Sequence, residues 1–246
     1  MKQNLGAIIL AAGKGKRMNS TYVNKVAMSL ADKPMIVHAI ELLENLQIKN
    51  IVVVVGFAKV SVMNILGQKV LFAEQRKRLG TAHAVLVGLR QMPKEAYNII
   101  VLNGDDSAFY RKELIKKLIA KHLSSKASFT FLTIEKDNPF GLGRIVRDKR
   151  KRLTAIIEEK DASKEEKKIK EINPGCYIFN KEFLRKYLPK IKRSNVTGEY
   201  YLTRIIDIGI KHSERIETLA AGQIPWRGIN TKQELEEAER LLRNAR

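Results

Sequence analysis

The sequence predicts an α/β domain built on a doubly wound, mixed but mostly parallel sheet. Short apolar runs of the kind that form covered strands alternate with segments whose apolar residues recur at helical spacing. The β-branched run at residues 50–55 is continuous, as expected for a strand that helices cover on both faces. A length of 246 residues and a hydrophobic content of 44% suit one large domain with its own core.

In the first half of the chain, four strand-like runs are separated by helical patterns. The first helix begins near Pro34 and keeps apolar residues at helical spacing as far as Leu46. Thr81 is a candidate cap for the helix between the third and fourth strands. The predicted strands are residues 5–10, 50–55, 70–73 and 98–102, and the predicted helices are residues 34–46, 60–66, 81–90 and 111–123.

The second half changes character, because its strands follow one another with short turns. Without a repeat or linker, we expect a single domain over residues 1–246. It divides into residues 1–125, an elaboration of the same sheet over 126–230, and a C-terminal helix over 231–246. The predicted strands are 128–134, 143–147, 153–158, 171–180 and 214–220; the helices are 181–188, 200–212 and 231–245, with a charged helix or loop at 163–170.

Charge and composition narrow the function classes. The chain has 46 Lys and Arg against 26 Asp and Glu, which gives a formal net charge of +20. These cations are spread along the chain, and the one compact run, residues 149–152, has no aromatic residues interleaved with it. We therefore expect an anionic small-molecule substrate and weak adhesion to polyanions, but no specific nucleic-acid partner.

Cysteine use and hydropathy indicate a compartment. The single cysteine, Cys176, cannot form an intrachain disulfide and suits a reducing environment. The apolar runs are far shorter than the ~18 residues of a membrane span, and the first residues lack the layout of a signal peptide. The four histidines and one cysteine have no zinc-like spacing. We expect a cytoplasmic protein with no membrane partner.

The first strand opens into a loop of small and basic residues. Gly13 and Gly15, each followed by a lysine, precede Arg17, and Lys25 lies eight residues further on. Glycines let backbone N–H groups approach an anion, and nearby cations neutralise it, so the loop is a candidate polyphosphate cradle, although an ordinary turn has the same composition. It is neither a Walker A motif nor Gly-x-Gly-x-x-Gly, which disfavours ATPase and nicotinamide-cofactor functions.

Two carboxylates follow the fourth strand. Ligands of open α/β sheets bind beyond the carboxyl ends of strands, and Asp105 and Asp106 lie at such an end, as the glycine loop does. A carboxylate near a phosphate cradle indicates a metal-bridged site, and Mg²⁺ prefers few carboxylates together with water and phosphate oxygens. Taken alone, Asp105 is at least as well explained by an Asx turn after Gly104.

Motifs along nearly the whole chain resemble those of one enzyme family, the sugar-phosphate nucleotidylyltransferases. The closest resemblance is to the uridylyltransferase domain of bifunctional N-acetylglucosamine-1-phosphate uridylyltransferases. Their C-terminal acetyltransferase β-helix has no counterpart before Arg246, so we do not expect acetyltransferase activity. The motifs, in order, are residues 9–18 (ILAAGKGKRM), Lys25, Glu74-Gln75, residues 79–84 (LGTAHA), Gly104-Asp105, residues 143–145 (GRI), 157–162 (IEEKDA), 171–173 (EIN), 198–203 (GEYYLT) and 228–230 (GIN).

The resemblance implies a fold, a reaction and a cofactor. The fold is the Rossmann-like, nucleotide-diphospho-sugar transferase (GT-A-like) fold, with residues 1–125 binding the nucleotide and 126–230 the sugar. The reaction joins UTP to N-acetylglucosamine 1-phosphate and releases pyrophosphate, with Mg²⁺ as the cofactor. Because the attacking phosphate oxygen is already anionic, positioning and charge stabilisation suffice and no side-chain nucleophile is needed.

The same resemblance implies roles for single residues. Arg17 and Lys25 would be catalytic, binding the triphosphate and the charge that develops at the α-phosphorus. Asp105 and Asn230 would hold the metal. The nucleotide would contact Leu10, Ala11, Ala12, Gly13, Gly15, Gln75, Gly80, Thr81 and Gly104, and the sugar would contact Gly143, Glu158, Asn173, and Tyr201 or Thr203.

Several residues depart from the family pattern and keep alternatives open. Arg78 stands where these uridylyltransferases commonly have a second glutamine, so another NTP such as dTTP, or another sugar 1-phosphate such as glucose 1-phosphate, stays possible. A choline- or alditol-phosphate cytidylyltransferase is a more distant alternative, and a catalytically inactive basic nucleotide- or RNA-binding relative is another. The other departures are Lys16, Val23-Asn24, Asp106 with the two residues that follow it, and Arg204.

Overall fold

The computed structural model describes residues 4–15, 18 and 22–244. Its first half consists of parallel strands and intervening helices, as the alternating pattern predicts. The predicted helices and strands are present within a few residues, and one short hairpin is added to them. In chain order they are β1 (Leu5–Ala11), β2 (Ser29–Leu30), β3 (Lys33–Pro34), α1 (Met35–Asn45), β4 (Asn50–Val55), α2 (Lys59–Leu66), β5 (Leu71–Glu74), α3 (Thr81–Gln91), β6 (Asn98–Asn103) and α4 (Lys112–Ser125).

The second half extends the same sheet with mostly antiparallel strands. β12 is the exception, because it pairs in parallel with the strand that follows α4. The helices and strands are β7 (Phe129–Glu135), β8 (Gly143–Arg147), β9 (Leu153–Ile157), β10 (Glu171–Asn173), β11 (Tyr177–Asn180), α5 (Lys181–Tyr187), α6 (Ile205–Lys211), β12 (Ile216–Ala220) and α7 (Lys232–Asn244).

One ten-stranded sheet therefore runs through the described chain, in the order β5-β4-β1-β6-β11-β7-β10-β8-β9, with β12 beside β7. The strands β5, β4, β1 and β6 are mutually parallel. The switch to antiparallel pairing occurs where β11 joins β6. The predicted mixed, mostly parallel α/β sheet is confirmed: the parallel strands β5, β4, β1 and β6 come from the first half of the chain, and most antiparallel pairs form in the second half.

Helices cover both faces of the sheet. Alternate residues of a strand point to opposite faces, so Ala7 and Ile9 of β1 pack on one side while Ile8 packs on the other. The first side is covered by α1, α2, α4 and α7, and the second by α3, α5 and α6. This arrangement is the doubly wound architecture that the continuous apolar strands predict.

Two local predictions need correction, and one hairpin was not predicted. The predicted strand 171–180 is two strands, because Pro174 has no N–H to donate and Gly175 takes a φ of +87°. The predicted helix 200–212 begins as a 3₁₀ turn at Leu202–Arg204, and α6 starts only at Ile205. The hairpin of β2 and β3 has no counterpart in the prediction; its two-residue turn puts Ala31 and Asp32 at positive φ.

The C-terminal helix α7 packs on the first face through a single amphipathic stripe. Ala238 is fully buried, and Leu235, Leu241 and Leu242 pack around the same core cluster. Thr231 and Glu234 form a capping box at its start, with the Glu234 N–H donating to the Thr231 hydroxyl at 3.1 Å. Across the described ranges, no helix has the length and apolar character needed to cross a membrane.

Candidate active site

A cleft of about 860 Å³ opens at the carboxyl ends of the parallel strands. The loop after β1, Gln75 after β5 and Asp105 after β6 all reach this edge, where open α/β sheets bind ligands. The second half of the chain forms the opposite wall. The predicted site residues that line the cleft are Leu10, Ala11, Ala12, Gly13, Gly15, Lys25, Gln75, Gly80, Thr81, Asp105, Gly143, Glu158, Asn173, Thr203 and Asn230.

Two of the predicted site residues that the structure describes, Gly104 and Tyr201, are not part of this lining. Arg17, like Lys16, lies outside the described residues. Gly104 lies behind the wall: its N–H donates to Leu10 O at 3.1 Å, and a Cβ there would come within 3.0 Å of Ile36. Tyr201 is half-buried and adjoins the lining, and of the pair Tyr201 and Thr203 only Thr203 faces the cleft.

The loop after β1 is braced from behind by a buried amide. Asn24, 1% exposed, donates from Nδ2 to Ala11 O at 3.0 Å, Gly13 O at 3.3 Å and Phe57 O at 2.7 Å. Its Oδ1 accepts from the Val26 N–H at 3.1 Å. Asn24 thus engages the carbonyl groups on the back of the loop. The backbone N–H groups of residues 13–15 make no hydrogen bond to another described residue. They are therefore available to an anion, as the cradle prediction requires.

Lys25 joins the two residues that the sequence assigned to a metal. Its ammonium group contacts the Asp105 carboxylate, lies 3.0 Å from Asn230 Oδ1, and lies 2.5 Å from Ile229 O. The Lys25 and Asp105 side chains are 13% and 17% exposed. The capping box of α7 fixes Asn230, because the Glu234 carboxylate accepts from the Asn230 N–H at 2.7 Å. A cation and two oxygen ligands thus meet at one point of the cleft.

The oxygens at this point fit a hard divalent cation. Asp105 supplies a carboxylate and Asn230 an amide oxygen, and the adjacent Asp106 is buried with an Oδ1 that has no hydrogen-bond partner. Burial and the charge of Asp105 raise the pKa of Asp106 well above its usual range. Within the part of the chain that the structure describes, no three acidic, His or Cys side chains cluster as metal ligands. A metal here would need substrate phosphates and water, which is how Mg²⁺ is usually held.

One end of the cleft is held by hydrogen bonds between the two halves of the chain. Gly80 has a φ of +105°, and a Cβ there would lie 2.5 Å from Tyr200 O. The Tyr200 N–H donates to Leu79 O at 2.8 Å, and the Leu202 N–H donates to the Thr81 hydroxyl at 2.8 Å. Gln75, 4% exposed, donates to Gly80 O at 3.1 Å. These contacts fix Gln75, Gly80 and Thr81, which the resemblance predicts to contact the nucleotide.

The opposite end brings together the residues predicted to bind a sugar. Strand pairing places Asn173 of β10 opposite Gly143 of β8, and Glu158 follows β9 beside them. Glu158 accepts a hydrogen bond from the Thr203 hydroxyl at 2.8 Å, and burial raises the pKa of its carboxyl. The Asn173 amide donates to the Tyr177 hydroxyl at 2.5 Å. The result is a half-buried polar pocket of carboxylate, amide and hydroxyl groups.

Sequence reasoning missed several wall residues. Trp226 lines the cleft, and its indole N–H donates to the Tyr110 hydroxyl at 3.1 Å. Nothing marked this tryptophan, because it lies outside the motifs and its partner is 116 residues away. Asn24 was noted only as a departure, and Arg78, also noted as a departure, does line the cleft. Arg204 lies outside it and instead pairs with Asp161 at 2.8 Å.

Comparison with known proteins gives relatives over almost the whole chain. The chain is 41% identical over 239 residues to Bifunctional protein GlmU of Caldicellulosiruptor saccharolyticus. The aligned region covers 96% of this chain and 51% of that protein. It is 42% identical over 212 residues to Bifunctional protein GlmU of Carboxydothermus hydrogenoformans, covering 86% and 47%. The chain thus spans about half the length of the curated relatives that it matches.

The fold has a solved counterpart, and a family model matches the chain. A crystal structure described as a glucose-1-phosphate thymidylyltransferase from Bacillus anthracis superposes with a TM-score of 0.81 at 22% identity, covering 98% of this chain and 96% of that one. At this identity the likeness supports the fold alone. The model of the nucleotidyl transferase family matches residues 6–244. The family predicted from the motifs is thereby confirmed, and the chain belongs to the nucleotidyl transferase family.

Proposed function

We propose that the chain transfers a uridylyl group from UTP to N-acetylglucosamine 1-phosphate, giving UDP-N-acetylglucosamine and pyrophosphate. The observation that carries this proposal is the convergence of Lys25, Asp105 and Asn230 between the glycine loop and the pocket at Glu158 and Asn173. A phosphate-binding loop, a cation with metal-type oxygens, and a polar pocket thus follow one another along one cleft. The motif resemblance and the relatives at about 40% identity support the same substrates.

The chain's residues can perform this transfer by positioning and charge. A phosphate oxygen of the sugar 1-phosphate attacks the α-phosphorus of the NTP in line, and the bond to the bridging oxygen breaks so that pyrophosphate leaves. The free N–H groups of residues 13–15 hold the triphosphate, and Lys25 places a positive charge beside it. Mg²⁺, held by Asp105 and Asn230, would neutralise phosphate charge. Arg17 is proposed to assist on the basis of the resemblance alone.

The sugar pocket suits an N-acetylhexosamine. The Glu158 carboxylate can accept hydrogen bonds from sugar hydroxyl groups, and the amide of Asn173 offers both a donor and an acceptor. Gly143 keeps the wall between them open: a Cβ there would lie 3.3 Å from Ile156 Cγ2, and in ordinary contact with Glu158 Oε2 at 3.6 Å and Asn173 Cβ at 3.8 Å. We further propose residues 1–125 as the nucleotide half, 126–230 as the sugar half, and a cytoplasmic location.

A test measures pyrophosphate release with Mg²⁺ and a matrix of NTPs and sugar 1-phosphates. We expect UTP with N-acetylglucosamine 1-phosphate to be the best pair. Asp105→Asn should lower the rate by about 10²–10³, as loss of one charge-stabilising group does elsewhere. Glu41→Gln is the matched control, because Glu41 makes a similar contact with Lys33 away from the cleft. Absence of release with every pair would refute the enzyme proposal, and an unimpaired Asp105→Asn variant would refute the metal assignment.

Because of Arg78, dTTP is a second candidate nucleotide. This arginine lines the cleft and makes no hydrogen bond or ion pair with another described residue. A guanidinium group donates hydrogen bonds only, so it can bind the carbonyl oxygens of uracil and thymine equally and does not choose between them. The matrix above therefore includes dTTP, and a preference for dTTP over UTP would replace the uridylyl assignment by a thymidylyl one.

A further inference from the structure

The side-chain amide of Gln75 is held in one orientation by two partners. Its Nε2 donates to Gly80 O at 3.1 Å and lies 2.9 Å from Nδ1 of His83, which is on α3. The Gln75 backbone N–H donates to Val55 O at 2.8 Å, so the residue is fixed at its other end as well. Both N–H donors of the amide are therefore used inside the protein. A rotated amide would bring two oxygens together at Gly80 O.

His83 can serve as the second acceptor only when its ring is neutral and Nδ1 carries no proton. Burial and the nearby Arg90 lower the pKa of His83, which favours the neutral ring at physiological pH. Nδ1 then accepts and Nε2 carries the hydrogen. The amide nitrogen of Gln75 thus faces two acceptors, and its oxygen must point elsewhere.

The amide oxygen is left for a ligand. Gln75 lines the cleft, and its Oε1 makes no hydrogen bond to any described residue. This oxygen keeps some solvent exposure, because it is not one of the fully buried side-chain atoms without a partner. An accessible, rigidly oriented oxygen accepts hydrogen bonds and cannot donate them.

We propose that His83 is a positioning residue that sets base selectivity by locking the Gln75 amide with its oxygen toward the base. This proposal rests on the proposed nucleotidyl transfer. Uracil and thymine present an N3–H donor to such an oxygen, whereas N3 of cytosine is an acceptor and would meet it unfavourably. His83 touches no substrate in this scheme. It acts together with Gly80 O, as the second acceptor that disfavours the rotated amide.

The test compares variants of His83 with UTP and CTP as alternative substrates. His83→Phe keeps a ring but removes one of the two acceptors, so Gly80 O alone holds the amide and rotation that presents its nitrogen to cytosine N3 becomes easier. We expect kcat/KM for UTP to fall about tenfold, the effect of one neutral hydrogen bond, mainly through KM. The value for CTP should hold or rise. A purely structural effect would instead lower kcat/KM for UTP and for CTP equally, and that result would overturn the proposal.

A second pair of variants keeps the proposal testable if His83→Phe does not fold. His83→Asn carries an acceptor at the position of Nδ1 and should retain the selectivity for UTP over CTP. His83→Gln places its amide beyond that position, and we expect it to lose selectivity. Equal selectivity in these two variants would overturn the proposal. Because the wild-type protein is assayed in parallel, failure of the proposed transfer would be seen as inactivity of the wild type with every NTP.

Discussion

Among single residues, His122 of α4 predicts how stability depends on pH. Its side chain is 2% exposed, with Nδ1 2.9 Å from the Thr130 hydroxyl and Nε2 3.1 Å from Asn98 Oδ1. Burial lowers the pKa of His122 from 6.5 to about 4. Between pH 6.5 and about 4, His122 is therefore protonated in the unfolded chain and neutral in the folded chain. The stability associated with the neutral ring is complete above pH 6.5 and is lost as the pH falls to about 4.

The measurement is urea unfolding of the wild type and of His122→Gln at pH values between 4.5 and 7.5. The amide of the variant stays neutral, so carboxyl groups that titrate in this window affect both proteins alike. As the pH falls, we expect the free energy of unfolding of the wild type to decrease relative to that of His122→Gln, by up to about 1.4 kcal/mol per pH unit. A difference that does not change with pH would contradict the assignment.

Asn24 shows why some site residues resist prediction from sequence. It was noted only as a departure from the family pattern, yet it is the buried amide that engages the carbonyl groups of the anion loop. A single asparagine in a loop is typical of an exposed turn. Only its 1% exposure and its three Nδ2 acceptors distinguish a buried bracing amide from an exposed turn residue. Both features depend on tertiary contacts.

Among the helices and strands, the sequence pattern predicted best the strands that helices cover on both faces. β4 and β6 contain continuous apolar runs, and each is flanked by a strand on both sides in the sheet. The boundary between β10 and β11 was missed, although Pro174 stands inside the predicted strand. The break matters for the site, because Asn173 ends β10 there, and its Oδ1 accepts from the Gly175 N–H at 3.1 Å.

The turn between β5 and α3 carries a testable backbone requirement. Gly80 combines a φ of +105° with a Cβ position only 2.5 Å from Tyr200 O, so Gly80→Ala adds strain and a clash with backbone. We expect the free energy of unfolding to fall by about 3 kcal/mol or more. The measurement is urea unfolding, read against Gly222→Ala.

Gly222 is the matched control because it also has a positive φ, +67°, but no atom lies within 4 Å of a Cβ there. We expect Gly222→Ala to cost only about 1–2 kcal/mol, the usual penalty for a left-handed residue. If both variants lose the same amount, backbone strain alone explains Gly80 and the contact with Tyr200 contributes nothing.

At the scale of the whole molecule, the site is assembled from distant parts of the chain. Lys25 meets Asp105 across 80 residues and Asn230 across 205 residues. Strand-end reasoning places Asp105 near the glycine loop, because both follow parallel strands of one sheet. Asn230 follows no strand of that parallel set, so only the family resemblance singled it out. The capping box at the start of α7 is what brings it to the cleft.

The net charge of +20 predicts weak, sequence-independent adhesion to polyanions. Basic residues line the cleft, as Lys14 and Lys160 do, and also stand on remote surfaces such as the turn at residues 149–152. Binding to single-stranded RNA should therefore weaken steeply with salt, with a slope of about −0.7 per phosphate contact. The measurement is fluorescence anisotropy with unrelated RNA sequences at several salt concentrations.

A variant with residues 149–152 changed to glutamine separates distributed from local adhesion. Because the four substitutions leave 42 of the 46 Lys and Arg in place, we expect a modestly shallower salt slope and continued binding of every sequence. Loss of all binding in this variant would reveal a local nucleic-acid site on the turn between β8 and β9. A preference of the wild type for one RNA sequence would equally contradict the electrostatic explanation, since phosphate contacts carry no sequence information.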